Sequence, residues 1–205
     1  MWQDAYPKQV MLKDGRNCTI RLLQPSDFDK LTTFFGALPD EDRVFFRHNV
    51  QDPNLLRKWT TAIDLDRVVP LVAETDGELV ATGTLHLARL GWLRHVAHLR
   101  VAVARKWRRV GLAGLLTREL VRVARERHLE KVLVEVIRDN RPLIAMLERL
   151  GFATAAVMNG LAKDIRGQAR DLVIMVDSIS DLSRVLEDWI ADSMIPAYRV
   201  PGGGY

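Results

Sequence analysis

The sequence predicts an α+β fold, a mixed sheet with helices on both faces. Three observations carry this expectation. Two Asp-Gly pairs, Asp14-Gly15 and Asp76-Gly77, each lie between apolar runs and mark tight hairpins. A strand–helix–strand passage over residues 95–137 is long enough for a parallel crossover. Elsewhere, apolar residues recur at helical spacing behind recognisable start signals.

In chain order, Val10–Leu12 and Thr19–Leu23 form the first hairpin. Pro25-Ser26-Asp27 starts a helix that presents Phe28, Leu31, Phe34 and Phe35 on one face. Pro39–Asp42 starts a second helical piece with Val44, Phe45 and Phe46, and Asp52-Pro53-Asn54 a third with Leu55, Leu56 and Trp59. Strands follow at Val68–Glu74, Glu78–Ala88 and His95–Ala104. The helix Leu112–Arg127 buries Leu112, Leu115, Leu116, Leu120 and Val123. A strand at Lys131–Ile137 leads to a helix opened by Pro142, whose missing N–H suits a first turn, and closed by Gly151. Phe152–Val157 and Asp171–Val176 read as a final strand pair. Ser180 is placed to cap a helix over about 181–193, whose apolar stripe fits either its own domain or a second copy of the chain, so a homodimer stays open. Residues 201–205 read as a frayed end. The expected organisation is an N-terminal extension with the first hairpin strand (1–17), one domain (18–178), and a C-terminal helix and tail (179–205).

The 205 residues, 48% hydrophobic and 27% charged, suit one soluble domain with short appendages. A chain of this size buries about 70% of its unfolded surface and needs neither disulfide nor metal to hold a core. Its single cysteine, Cys18, cannot bridge internally, which fits a reducing compartment. The N-terminus lacks the basic start and apolar run of a signal peptide, and no apolar stretch reaches the roughly 18 residues of a membrane helix, so a cytoplasmic protein without membrane contact is expected. The His, Asp and Glu spacings assemble no metal ligand set.

The densest signals lie between Leu99 and Phe152. A strand runs into the basic, glycine-bearing turn Arg108-Arg109-Val110-Gly111-Leu112-Ala113-Gly114, which opens directly into a helix. The first turn of a helix leaves backbone N–H groups unpaired and its dipole favours negative charge, so this turn is an anion site suited to a diphosphate. Gly111 and Gly114 allow backbone to approach phosphates, and Ala113 is small for the same reason. A purely structural reading competes: Gly111 breaks the chain and Gly114 lets the helix pack closely. The basic cluster Arg100, Arg105, Lys106, Arg108 and Arg109 fits a phosphorylated cofactor, a solvated face, or, less well, nucleic acid.

The turn, Asn140 and Leu150-Gly151-Phe152 together resemble the GNAT superfamily of acetyl-CoA-dependent N-acetyltransferases, over roughly Cys18 to Val176. The turn matches that family's Arg/Gln-x-x-Gly-x-Gly/Ala signature. Leu12–Arg16 with Ile20-Arg21, Trp107, and Asn140–Leu147 are similar to the acetyltransferase domains of bacterial protein-lysine acetyltransferases of the Pat type. The resemblance implies a mostly antiparallel sheet with splayed central strands. It implies acetyl-CoA bound through the backbone of Arg109, Val110, Gly111, Leu112, Ala113 and Gly114. Arg108 adds charge, and Arg105, Lys106 or Arg109 meets the 3′-phosphate. It assigns Val101 and Val103 to main-chain contact with pantetheine, and the Val101 N–H to the acetyl carbonyl. Asn140 either contacts pantetheine or caps the next helix.

An acceptor lysine, with an ordinary pKa of about 10.4, must lose a proton before it attacks. The resemblance offers two bases. His98 falls where Pat-type enzymes carry a glutamate, and Glu135 where ribosomal-protein N-terminal acetyltransferases carry theirs. Bland alternatives are an exposed strand histidine and a carboxylate paired with an arginine. His95 and His86 are weaker candidates. The tyrosine that many family members place before the Gly-Phe pair is here Leu147. The expected activity is direct acetyl transfer to an amine acceptor, a protein lysine first and a small amine next. A non-catalytic acyl-CoA sensor and a nucleic-acid binder are the rivals from other classes.

Overall fold

A computed structural model describes residues 2–179, so the helix expected at 181–193 and the 201–205 tail lie outside the described residues. Strands β1 (Lys8–Met11), β2 (Asn17–Leu22), β3 (Val68–Thr75), β4 (Glu78–Leu87), β5 (Val96–Val103), β6 (Lys131–Ile137), β7 (Ala153–Lys163) and β8 (Ala169–Ser178) form one sheet. Its order is β1-β2-β3-β4-β5-β6-β8-β7. Neighbours are antiparallel except β5 and β6, which run parallel because the crossover helix lies between them in the chain. The strand of the N-terminal extension, β1, is the edge of this same sheet. Among the described residues no helix is long and apolar enough to cross a membrane.

Helices α1 (Phe28–Gly36) and α3 (Pro53–Thr61), with the single turn α2 (Asp40–Arg43) between them in the chain, lie on one side, α1 and α3 covering that face, and α4 (Leu112–Glu126) and α5 (Arg141–Arg149) cover the other. Strand alternation sorts the side chains accordingly. Val69, Leu71 and Ala73 of β3 face α4, whereas Val72 meets Phe34, Phe35 and Leu56 of α1 and α3. On α4, Leu112, Leu116, Leu120 and Val123 are at most 1% exposed. At about 1.5–3 kcal/mol for each large apolar side chain removed from water, this one helix face is a major anchor of the sheet. On the other side, the Arg21 guanidinium joins β2 to the start of α1 through Asp27 (2.7 Å to each carboxylate oxygen) and reaches Glu74 on β3 (2.7 Å).

Three elements differ from expectation. The second helical piece is a single turn, and Val44–Phe46 continue as tight turns that bring Phe46 edge-on to Phe35 at 5.5 Å. Tertiary packing, not helix periodicity, placed Phe46, while Val44 and Phe45 remain exposed. Strands β7 and β8 are longer than expected. Their pairing passes through an irregularity between Met158 and Ala162, where Gly160 (φ +63°) donates its N–H to Asp171 Oδ1 at 3.0 Å. The exposed outer strand carries no alternating apolar pattern to reveal its length.

Gly83 on β4 is where α4 comes closest to the sheet. A Cβ there would lie 3.0 Å from Leu120 Cδ1 and 3.3 Å from Leu116 Cβ. We expect Gly83→Val to lower unfolding stability by about 1–3 kcal/mol, the usual cost of overpacking, measured by urea denaturation. An unchanged midpoint would mean that α4 can shift away from the sheet.

Candidate active site

Strands β5 and β6 pair only at Val96–Lys131, Ala97–Val132 and His98–Leu133. Beyond His98 they part, while β4 holds β5 as far as Val103 and β8 holds β6 as far as Ile137. Main-chain orientation within the gap follows from two anchors. The His95 carbonyl accepts the amides of Glu130 and Lys131 at the start of β6 (2.9 and 3.2 Å), and the Ala104 N–H donates to Val80 on β4 (2.9 Å). Orientation alternates along a strand, so Leu99, Val101 and Val103 turn their N–H and C=O groups into the gap.

After β5, a short 3-10 turn at Arg105–Trp107 leads to Arg109 and Gly111, both left-handed (φ +67° and +94°), and α4 begins at Leu112. The glycine accepts its conformation without strain, whereas the arginine does not. The N–H groups of Arg109, Val110, Gly111, Leu112, Ala113 and Gly114 donate to no partner among the described residues. They converge at the positive end of the α4 dipole. The first hairpin supports this turn from outside. The Lys13 amide donates to the Val110 carbonyl at 3.3 Å, the Lys13 stem runs past Gly111, and the Arg16 guanidinium stacks 3.6 Å from the Trp107 ring.

The gap and the turn open into one cleft of about 1380 Å³. His98, Val101, Val103, Arg108–Arg109, Gly111–Gly114, Glu135 and Asn140 all line it, and Val110 and the Lys13 amide close the turn's outer side. The cationic side chains are less available than the sequence suggested. Arg108 pairs with Asp42 (2.5 Å) and donates to the Val103 carbonyl (3.3 Å). Arg105 lies 4.0 Å from Glu41 and Lys106 3.1 Å from Glu78. These exposed pairs are weak and exchangeable. Arg109 makes no ion pair among the described residues. Asn140 does cap α5: its side-chain oxygen accepts the Leu143 N–H at 3.3 Å. Leu147, 1% exposed, sits in the α4-side core with no hydroxyl to offer.

The opposite side of β5 is polar. His98 and Arg100 project there, facing His86 and Thr84 across the β4–β5 ladder. Glu135 shares this face from β6, where Arg47, from the segment after α2, grips both its carboxylate oxygens at 2.5 and 2.7 Å. The arginine pairing weighed for Glu135 is therefore present, and Arg47 is its source. Burial pushes the His98 imidazole below its ordinary value of 6.5; Glu135 opposes that shift and Arg47 and Arg100 add to it. Burial first, then Arg100 and His98, push His86 down to about 4, and Thr84 Oγ1 lies 3.1 Å from its Nε2. Both imidazoles are thus neutral near pH 7. Sequence reasoning missed Arg47, which lies in an aromatic-rich segment with no motif. It found Lys13 and Arg16 only as part of a resemblance, without their contact to the turn.

A model of the acetyltransferase (GNAT) family matches residues 34–152, more than half of the chain. Similar solved structures include the GNAT domain of S. lividans PAT, with TM-score 0.70 and 20% identity over 84% of this chain and 96% of that one. Mycobacterium smegmatis RimJ in complex with CoA-disulfide has TM-score 0.73 and 19% identity over 92% and 96%. The putative acetyltransferase yncA from Salmonella typhimurium, with its cofactor acetyl-CoA, has TM-score 0.68 and 20% identity over 80% and 94%. The parted parallel strands, the glycine turn at the head of α4 and the family match lead to one assignment: this chain belongs to the GNAT acetyltransferase family.

Proposed function

We propose that this protein transfers the acetyl group of acetyl-CoA directly to a primary amine, with a protein lysine as acceptor. The observation that carries the donor is the run of unpartnered amides at Arg109–Gly114, set at the mouth of the gap between β5 and β6. A diphosphate satisfies those amides, and an extended pantetheine arm satisfies the main chain of Val101 and Val103 as an added strand. The cleft exceeds the roughly 300–1,000 Å³ of an ordinary ligand site, in keeping with a long donor meeting an acceptor. The lysine acceptor rests on the likeness to the PAT domain and on the Pat-like residues of the first hairpin and α5.

Bound acetyl-CoA supplies an activated thioester, whose C–S bond breaks as the amine's N–C bond forms. His98 takes the ammonium proton, directly or through a water, because its imidazole is neutral and makes no hydrogen bond to the described residues. Glu135 is the weaker base, since Arg47 already occupies both its oxygens. The Val101 N–H donates to the acetyl oxygen as negative charge grows there. Leu147 offers no proton to the departing thiolate. That favours a second reading, an acyl-CoA-binding sensor that does not turn over. Release of free thiol with lysine peptides separates the two.

Acetyl-CoA at a hundred times its Kd stabilises the fold by about 2.7 kcal/mol if it binds only the folded state. We expect a matching rise in Tm, weakened at least tenfold in apparent affinity by Gly111→Val. No rise at millimolar acetyl-CoA contradicts the donor assignment.

His98→Ala lowers kcat by about a hundredfold, the scale of one general base, with the Kd for acetyl-CoA unchanged. Because burial lowers the His98 pKa, the acid-side fall of wild-type kcat/KM, as the ring is protonated, is expected at a lower pH than an ordinary imidazole would give. Unchanged kcat in His98→Ala, with a large loss in Glu135→Gln, transfers the role to Glu135.

A further inference from the structure

The polar face of β5 holds an arginine that the proposed chemistry does not use. Arg100 lies two residues beyond His98 on the same face of the strand, about 7 Å along it, and pairs in register with Thr84. It is partly buried. No carboxylate, carbonyl or ring engages its guanidinium among the described residues. The one acid nearby, Glu135, is gripped by Arg47 at 2.5 and 2.7 Å. His86 and His98 are neutral and bring no negative charge. The face therefore carries two guanidiniums against one carboxylate: Glu135 attracts Arg100 only through space while Arg47 holds both its oxygens, so the planar fork of Arg100 is unmet, partly desolvated, beside the imidazole and inside the same cleft.

A partly buried guanidinium without a partner is unfavourable in isolation, and it is relieved by an anion that meets its planar fork. Main-chain carbonyls of β4 bring no charge and are already engaged in the β4–β5 ladder. The donor's phosphates lie elsewhere, at the head of α4. The acceptor is the remaining source.

We propose that Arg100 selects acceptors whose reactive amine is accompanied by a carboxylate, which on a protein means a lysine with an acidic neighbour. This deepens the lysine-acceptor reading and rests on it. Arg100 docks the carboxylate while His98, one strand pitch away, faces the amine. The same cation repels a lysine set in a basic sequence, so the site discriminates by attraction and by exclusion.

The test uses three fluorescent peptides that differ only beside a central lysine, which is followed by Glu, Gln or Lys. Binding is read by anisotropy with the full chain saturated in coenzyme A, and turnover by thiol release with acetyl-CoA. The wild-type protein is expected to prefer the Glu peptide over the Gln peptide by about tenfold or more, the effect of one charge-assisted bidentate contact, and to disfavour the Lys peptide. Arg100→Gln brings the Glu and Gln peptides within about twofold of each other without changing the Kd for acetyl-CoA, and Arg100→Lys restores part of the preference. Equal binding of the Glu and Gln peptides by the wild type, or a preference that survives Arg100→Gln, overturns the inference. If no peptide binds, free glutamate and glutamine α-amides are compared with their free acids. A carboxylate preference lost in Arg100→Gln then upholds the selector while ending the protein-lysine reading, and its absence ends both.

Discussion

The parting of β5 from β6 after three residue pairs is the constraint on which the rest depends. Each strand is held on its far side by an antiparallel ladder, β5 by β4 and β6 by β8, and both ladders continue well past the point of separation. The sheet thus behaves as two twisted halves joined at one end. Backbone N–H and C=O groups are obligatory hydrogen-bonding groups, and along the open edge of β5 they have no strand to meet. The opening is built into the architecture; it does not depend on mobile loops. The helix that connects the two halves starts at the mouth of the opening, so the unpartnered amides of the turn and the open strand edge arise from the same crossover.

Alternation along β5 then divides the labour. Main-chain groups of Val101 and Val103 face the gap, the side chains of Ala97 and Leu99 fix the strand onto α4, and His98 and Arg100 face the side covered by α1–α3. One strand of eight residues thereby contributes an open main-chain edge, a core face and a polar face. The electrostatics on that last face are lopsided. Arg47 takes both oxygens of Glu135, which leaves two uncharged imidazoles and a guanidinium, Arg100, that Glu135 reaches only through space. On this balance rest the proposals that His98 accepts the proton and that the acceptor carries an anionic neighbour.

Much of this was legible in the chain because it rests on local physics. Asp14-Gly15 and Asp76-Gly77 mark hairpins that exist, and Gly111 and Pro142 mark helix starts that exist. The strand Lys131–Ile137 is found with the expected limits because its alternating valines face a single core. Expectations failed where tertiary contact decides. Val44–Phe46 reads as a continuing helix but forms turns, with Phe46 packed on the core of α1 and α3 while Val44 and Phe45 stay exposed. The grip of Arg47 on Glu135 joins residues 88 apart in sequence and carries no motif, and the clamp of Lys13 and Arg16 on the signature turn is equally long-range. Asn140 shows the intermediate case: the residue type allowed a cap or a ligand contact, and the geometry of Leu143 shows the cap, made through the side-chain oxygen of a residue that also lines the cleft.

The central claim is that the open edge of β5 is a binding edge for an extended ligand. Amide resonances, followed one by one as coenzyme A is added, test it most directly. The account predicts that exchange with solvent slows at Val101 and Val103, whose N–H groups face the gap, and changes little at Arg100 and Ala102, which already pair with β4. Unchanged exchange at Val101 and Val103 in a protein saturated with coenzyme A would contradict it.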